Sequence, residues 1–273
     1  MHSVDRKMKL TYEINILEPY INWIYFYFAW QLKDPTEQER IKVEAESFLR
    51  NCLGRYKAYG LFVIADAYSV DEDIIVELGD KTFTLPMLRQ QQEGSDYLCL
   101  SDFLLPQSSS DKDKIGLFAT SVDKGMETDF NDDPYQKMMA QLLADRLAEA
   151  AAERMHEEVR RHYWGYAPDE HLSIKELHQE NFQGIRPAVG YPSLPDASLN
   201  FLLDEILDMK QIGISLTESG AMRPHASVSG LMINHPKSRY FSVGKIADDQ
   251  LVNYASRRQM PVSTIRKFLS ANL

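Results

Sequence analysis

Residues 61–85, LFVIADAYSVDEDIIVELGDKTFTL, decide the fold. Leu61 to Ala65 is an apolar run of strand length, DIIVEL (residues 73–78) repeats the pattern, and Gly79-Asp80 offers a tight turn into KTFTL (residues 81–85). Closely spaced strands of this kind predict an antiparallel, hairpin-rich sheet. Moving outward, Gln107 to Lys114 is rich in Ser, Asp and Lys and reads as a surface excursion before a further strand, Ile115 to Ser121. Ala226 to Ile233 and Tyr240 to Ile246 read as a second hairpin.

Helices are expected on both sides of these strands. Apolar and aromatic residues recur from Leu17 to Trp30, and Asp34-Pro35 then supplies an N-cap followed by Pro at the first helical position. Asp133-Pro134 opens a long helix whose apolar side is marked by Met138, Leu142, Leu143, Leu147, Met155 and Val159. Running toward Trp164-Gly165, it would measure about 45 Å at ~1.5 Å per residue. Ser173 with Glu176 forms a capping box, Asp196 to Gln211 reads as a helix closed by Gly213, and further helices start at Asp248 and Pro261. Strands and helices come in blocks rather than in βαβ alternation. The expectation is therefore an α+β fold with a mainly antiparallel sheet, one domain over residues 1–273 with a polar N-terminal extension at 1–14.

Composition excludes several functions. With 44% apolar and 26% charged residues the chain is an ordinary globule, and a net charge of −10 without a basic stripe argues against nucleic acid. Cys52 and Cys99 provide no disulfide framework and read as core thiols in a reducing cytoplasm. The stretch Tyr20 to Leu32 is too short to span a bilayer and reads as a buried aromatic helix. Glu13 and Glu18 ahead of it disfavour a signal peptide, so no membrane partner and a cytoplasmic location are expected.

The segment Gly184-Ile185-Arg186-Pro187-Ala188-Val189-Gly190-Tyr191-Pro192 holds an irregular extended backbone around one Arg and one Tyr. Arg186 is suited to clamping a carboxylate through two parallel hydrogen bonds, or to a structural ion pair; the residues alone leave both readings open. Arg146, Glu149, Glu153, His156 and Arg160 form a polar stripe on the long helix, which read by itself is a solvated face. His156-Glu157 lacks the second His of a zinc motif, no GxGxxG follows a strand, and Ser227 and Ser229 lie in a strand and suit packing.

These segments carry a family resemblance: YINWIYFYFAW (20–30), ADRLAEA (144–150), HYWGYAP (162–168), NFQGIRPAVGYP (181–192), LTESGAMRPHASVSG (216–230) and HPKSRYFSVGKI (235–246). Over residues 15–270 the chain resembles the activation domain of cobalamin-dependent methionine synthase. The resemblance implies a C-shaped domain that binds S-adenosylmethionine in a shallow groove. It further implies that Arg186 pairs with the methionyl carboxylate, Ala188, Gly190 and Tyr191 cradle the ligand, Glu149 faces its amino group, and Tyr240 lines the site near the reactive methyl. Where the family carries an acidic residue this chain has Asn22, which implies weaker binding.

By the same resemblance, the domain would support reductive methylation of cob(II)alamin held on a separate cobalamin-binding protein, with a flavodoxin-like electron donor. The chain has no DxHxxG motif and is too short for homocysteine- and folate-binding barrels, so it is not a complete methionine synthase. The polar start Met1 to Lys9 favours an independent gene over an excised fragment. The alternative reading is a non-enzymatic docking module for a corrinoid protein that has lost S-adenosylmethionine use.

Overall fold

The computed structural model describes residues 6–273. Its centre is a six-stranded sheet in which every pairing is antiparallel. The strands are β1 (Met8–Glu13), β2 (Lys57–Val70), β3 (Asp73–Leu78), β4 (Lys81–Pro86), β5 (Asp113–Val122) and β6 (Ser227–Met232). The order is β4-β3-β2-β5-β6, with β1 also on β2. The fourteen-residue β2 is long enough to serve two partners along one edge. Its first half pairs with β1 (Met8↔Phe62 to Glu13↔Lys57) and its second half with β3 (Asp66↔Glu77 to Val70↔Asp73).

Two expectations from the sequence change here. Residues 1–5 of the polar extension lie outside the described residues, while Met8–Glu13, read as part of that extension, form a sheet strand. Met8, Leu10 and Tyr12 alternate with Lys9, Thr11 and Glu13 and turn one apolar face to the core, a period-two signal too short to stand out. Residues 240–246 form no strand and do not pair with β6. Their main chain bonds elsewhere: Phe241 N–H to Ser193 Oγ (3.1 Å) and Val243 N–H to the Pro192 carbonyl (2.9 Å).

The principal helices are α1 (Trp23–Ala29), α2 (Pro35–Cys52), α3 (Pro134–Glu158), α4 (Leu199–Leu207), α5 (Asp248–Arg257) and α6 (Val262–Phe268). Asp34 and Asp133 cap α2 and α3 with Pro at the first turn, and Ser173 and Glu176 close the expected capping box. α3 passes into a π turn at Val159–Tyr163. The helix read over 196–211 is broken where Asp208 adopts φ 58°, leaving a 3-10 turn over Met209–Ile212 before Gly213.

Both faces of the sheet are covered, which is why β2 and β5 are apolar almost throughout. Phe62, Phe118 and Met232 pack on Leu143, Leu147, Ala151 and Met155 of α3. On the other face Leu61, Val63, Ile115, Leu117 and Leu231 meet Leu199, Leu203 and Ile206 of α4. Cys52 and Cys99 are buried, free thiols in these layers. A third cluster joins α5 and α6 to Leu88, Val243 and Ile246. Tyr254 Oη anchors it by donating to buried Asp196 (2.7 Å). Among the described residues no helix is long and apolar enough to cross a membrane.

α1 departs from the buried aromatic helix expected. Phe26 is buried, but Tyr25 and Phe28 are 59% and 81% exposed. A helix of seven residues can present only one side to the core, and here its other side forms a rim.

Candidate functional site

β6 ends the sheet order, and its free edge is covered by the proline-bearing segment. Ile185 and Ile233 exchange N–H···O bonds of 2.9 Å, Leu231 N–H donates to the Pro187 carbonyl (3.0 Å), and Val189 N–H donates to the Ser229 carbonyl (2.9 Å). Proline suits such a place because the ladder uses only its carbonyl. The segment then turns at Gly190 (φ 87°), whose N–H donates to the Leu194 carbonyl (2.8 Å), so Gly190 shapes the wall through its turn.

The fit between segment and sheet depends on Gly230. A Cβ there would collide with the Pro187 carbonyl oxygen and lie 2.9 Å from Ala188 Cα, both main-chain atoms with little freedom to yield. Gly230→Ala is expected to destabilise the protein by about 1–3 kcal/mol, as overpacking does. Chemical denaturation measures it, and wild-type stability would show that the segment can lift off β6 freely.

A cleft of ≈ 760 Å³ opens between this segment, α1, α3 and the 240–241 stretch. Asn22, Glu149, Arg186, Ala188, Tyr191 and Tyr240 all line it; Gly190 does not, and lies in the adjoining turn. Residues from distant parts of the chain thus converge on one surface. Arg186 is mostly buried, with 12% side-chain exposure. Its N–H donates to Tyr240 Oη (2.9 Å), and Nη2 lies 3.3 Å from Glu153 Oε2. Burial opposes the guanidinium charge, but Glu153 and neighbouring groups outweigh it and raise the pKa of Arg186 above its ordinary value. The ion pair read as one alternative for Arg186 therefore exists, and the arginine still faces the cleft.

Glu149 accepts a short hydrogen bond from Tyr191 Oη. Glu153 Oε1 is buried and has no hydrogen-bond partner among the described residues. Glu180 also lines the cleft, its carboxyl pushed up by burial although Arg186 pulls it down. The sequence reading missed it because it stands in a turn with φ 58° after a short helix, with no pattern to mark it. Asn22 caps α1, its Oδ1 accepting from Ile24 N–H at 3.3 Å. That leaves the Asn22 amide NH₂ as the group not engaged in the cap.

The polar stripe of α3 is not a solvated face. Arg146, Glu149 and Glu153 line the cleft, whereas His156 and Arg160 are fully buried. Arg160 forks onto Glu170, with Nη2 to Oε1 at 2.6 Å and Nε to Oε2 at 3.0 Å, and its guanidinium lies 4.2 Å from the Phe182 ring centroid. Loops that fold over the C-terminal end of α3 cover these positions, which helical spacing cannot anticipate. Ser229, likewise, is a packing residue, its hydroxyl donating to Asn200 Oδ1.

Fold and cleft together define an α+β domain whose groove lies along the edge of an antiparallel sheet and is lined by charges of both signs. A family model described as the activation domain of vitamin B12 dependent methionine synthase matches residues 13–259, and the chain belongs to that family. A solved structure described as the MetH reactivation domain bound to AdoHcy is 36% identical, with a TM-score of 0.92. The match covers 100% of this chain and 91% of that one.

Proposed function

We propose that the chain binds S-adenosylmethionine in this cleft and supports reductive methylation of cob(II)alamin on a separate cobalamin-carrying protein, so reactivating methionine synthase. The observation that carries the reading is the convergence of Arg186, Glu149, Tyr191, Tyr240, Ala188 and Asn22 on one cleft. The similar solved domain holds AdoHcy, the demethylated form of the same ligand. The residues fit such a ligand: Arg186 offers N–H donors to a carboxylate, and the second oxygen of Glu149 is an acceptor for an ammonium.

When bound, S-adenosylmethionine supplies an activated methyl group on its sulfonium, for a corrinoid that has taken one electron from a flavodoxin-like donor. The chain's own part is positioning. Arg186 and the carboxylates hold the amino acid moiety, the Ala188–Tyr191 wall cradles the rest, and Tyr240 presents a neutral hydroxyl whose pKa burial raises further. Tyr25 and Phe28 at the mouth offer apolar surface to a partner that closes over the groove.

Calorimetric titration of S-adenosylmethionine into the chain, alone and mixed with a cobalamin-loaded methionine synthase module, tests the reading. Heat of binding is expected in both; its absence from both would overturn it. A docking module without S-adenosylmethionine use is favoured by one observation, the uncharged Asn22 whose oxygen is engaged in a helix cap. Association with the loaded module without ligand heat would select that reading.

Asn22→Asp is expected to tighten S-adenosylmethionine binding about fivefold, since a charge-assisted hydrogen bond contributes about 1 kcal/mol more than a neutral one. Asp caps helices as well as Asn does, so α1 should be unaffected. Equal dissociation constants for the two proteins at low salt would remove position 22 from the ligand's surroundings.

A further inference from the structure

Behind Arg186, on the side away from the cleft, lies a buried imidazole that the functional reading above does not use. His156 is completely buried on α3, and its Nδ1 lies 3.4 Å from Arg186 Nη1. A guanidinium only donates, so Nδ1 must accept, and the ring proton then belongs on Nε2. His156 Nε2 is buried without a hydrogen-bond partner among the described residues, and the ring stands edge-on to Phe182 at 5.0 Å and 86°. An orphaned buried N–H is costly, so the hydrogen bond this ring does make is the one at Nδ1.

Resting on the S-adenosylmethionine reading, we propose that His156 is a positioning residue that fixes the plane of the Arg186 guanidinium through Nδ1, and thereby sets the affinity for a ligand carboxylate. Two contacts define that plane, and a third fixes the main chain from which the side chain starts. Tyr240 holds the Arg186 main chain, Glu153 approaches Nη2, and His156 approaches Nη1. Two-point capture of a carboxylate depends on the orientation of a flat fork, so a guanidinium free to rotate would bind the same charge less well. The imidazole is suited to the task because it stays neutral. Burial pushes its pKa well below the ordinary value, and Arg160 and Arg186 on either side add to the effect. The Arg160 fork onto Glu170 and its stacking on Phe182 close the far side of the ring.

The test compares two ligands on the full chain: S-adenosylmethionine and its decarboxylated form, which lacks only the carboxylate. His156→Phe, which removes the acceptor, is expected to weaken S-adenosylmethionine about tenfold, the worth of one hydrogen bond to a charged group, and to leave the decarboxylated ligand within twofold. His156→Asn, which places an acceptor near the Nδ1 position, should restore S-adenosylmethionine binding to within threefold of wild type. Equal losses for both ligands would mean that His156 only packs, and no loss for either would mean that Arg186 needs no help; each overturns the inference. Failure of the unaltered chain to bind S-adenosylmethionine would instead overturn the functional reading beneath it. Should His156→Phe not fold, nitrogen NMR of the wild-type imidazole decides: a proton on Nε2 is expected, and a proton on Nδ1 would overturn the proposal.

Discussion

Replacing Arg186 by alanine should abolish measurable S-adenosylmethionine binding. The guanidinium lies among Glu149, Glu153 and Glu180, so its removal deletes the cation that would meet the ligand carboxylate and leaves the acidic groups without a counterweight. Removing one partner of a buried charge pair costs about 3–5 kcal/mol, which corresponds to a fall in affinity of roughly a hundredfold to several thousandfold. Arg186→Lys should fall between wild type and Ala, because an ammonium keeps the charge but not the planar fork. Calorimetry with both variants measures this. A change of less than tenfold for Arg186→Ala would place the carboxylate elsewhere in the cleft.

The largest effect on stability is expected from Glu170→Gln. Arg160 has a fully buried side chain, and Glu170, 9% exposed, is its carboxylate partner. An amide cannot balance that charge, and an uncompensated buried cation costs about 3–5 kcal/mol. The loss should fall on the π turn and the loop after it, since the pair ties residue 160 to residue 170. Urea denaturation would register it as a lower midpoint. The double change Arg160→Met with Glu170→Leu should recover most of the loss, because well-packed apolar groups can replace a buried ion pair. A loss below about 1 kcal/mol for Glu170→Gln would mean that Arg160 behaves as an exposed ion-pair member.

Both predictions concern residues whose roles the sequence left open. Arg186 was suited to a carboxylate clamp or an ion pair, and the structure shows an arginine that is paired with Glu153 and still lines the cleft. Arg160 belonged to a stripe with the spacing of a solvated face, yet it is buried. Helical spacing places side chains on one side of a helix but does not say what will cover that side. In this protein the loop carrying Glu170, together with Phe182, covers its C-terminal part, while the middle is left open as the cleft.

What the sequence determined by itself was the local architecture and the identity of the family. The β2–β4 hairpins followed from strand-length apolar runs and Gly79-Asp80, the start of α3 from Asp133-Pro134, and the short helix at 174–178 from Ser173 and Glu176. Each of these is set by sterics and hydrogen bonds among near neighbours. The tertiary structure alone decided that Met8–Glu13 joins the sheet, that Tyr25 and Phe28 stay exposed, and that residues 240–246 bond to the 190s loop instead of β6. It also decided that His156 stands behind Arg186. Those outcomes depend on which distant segment reaches a surface and covers it, so they are fixed by packing between parts of the chain that carry no mark of one another in the sequence.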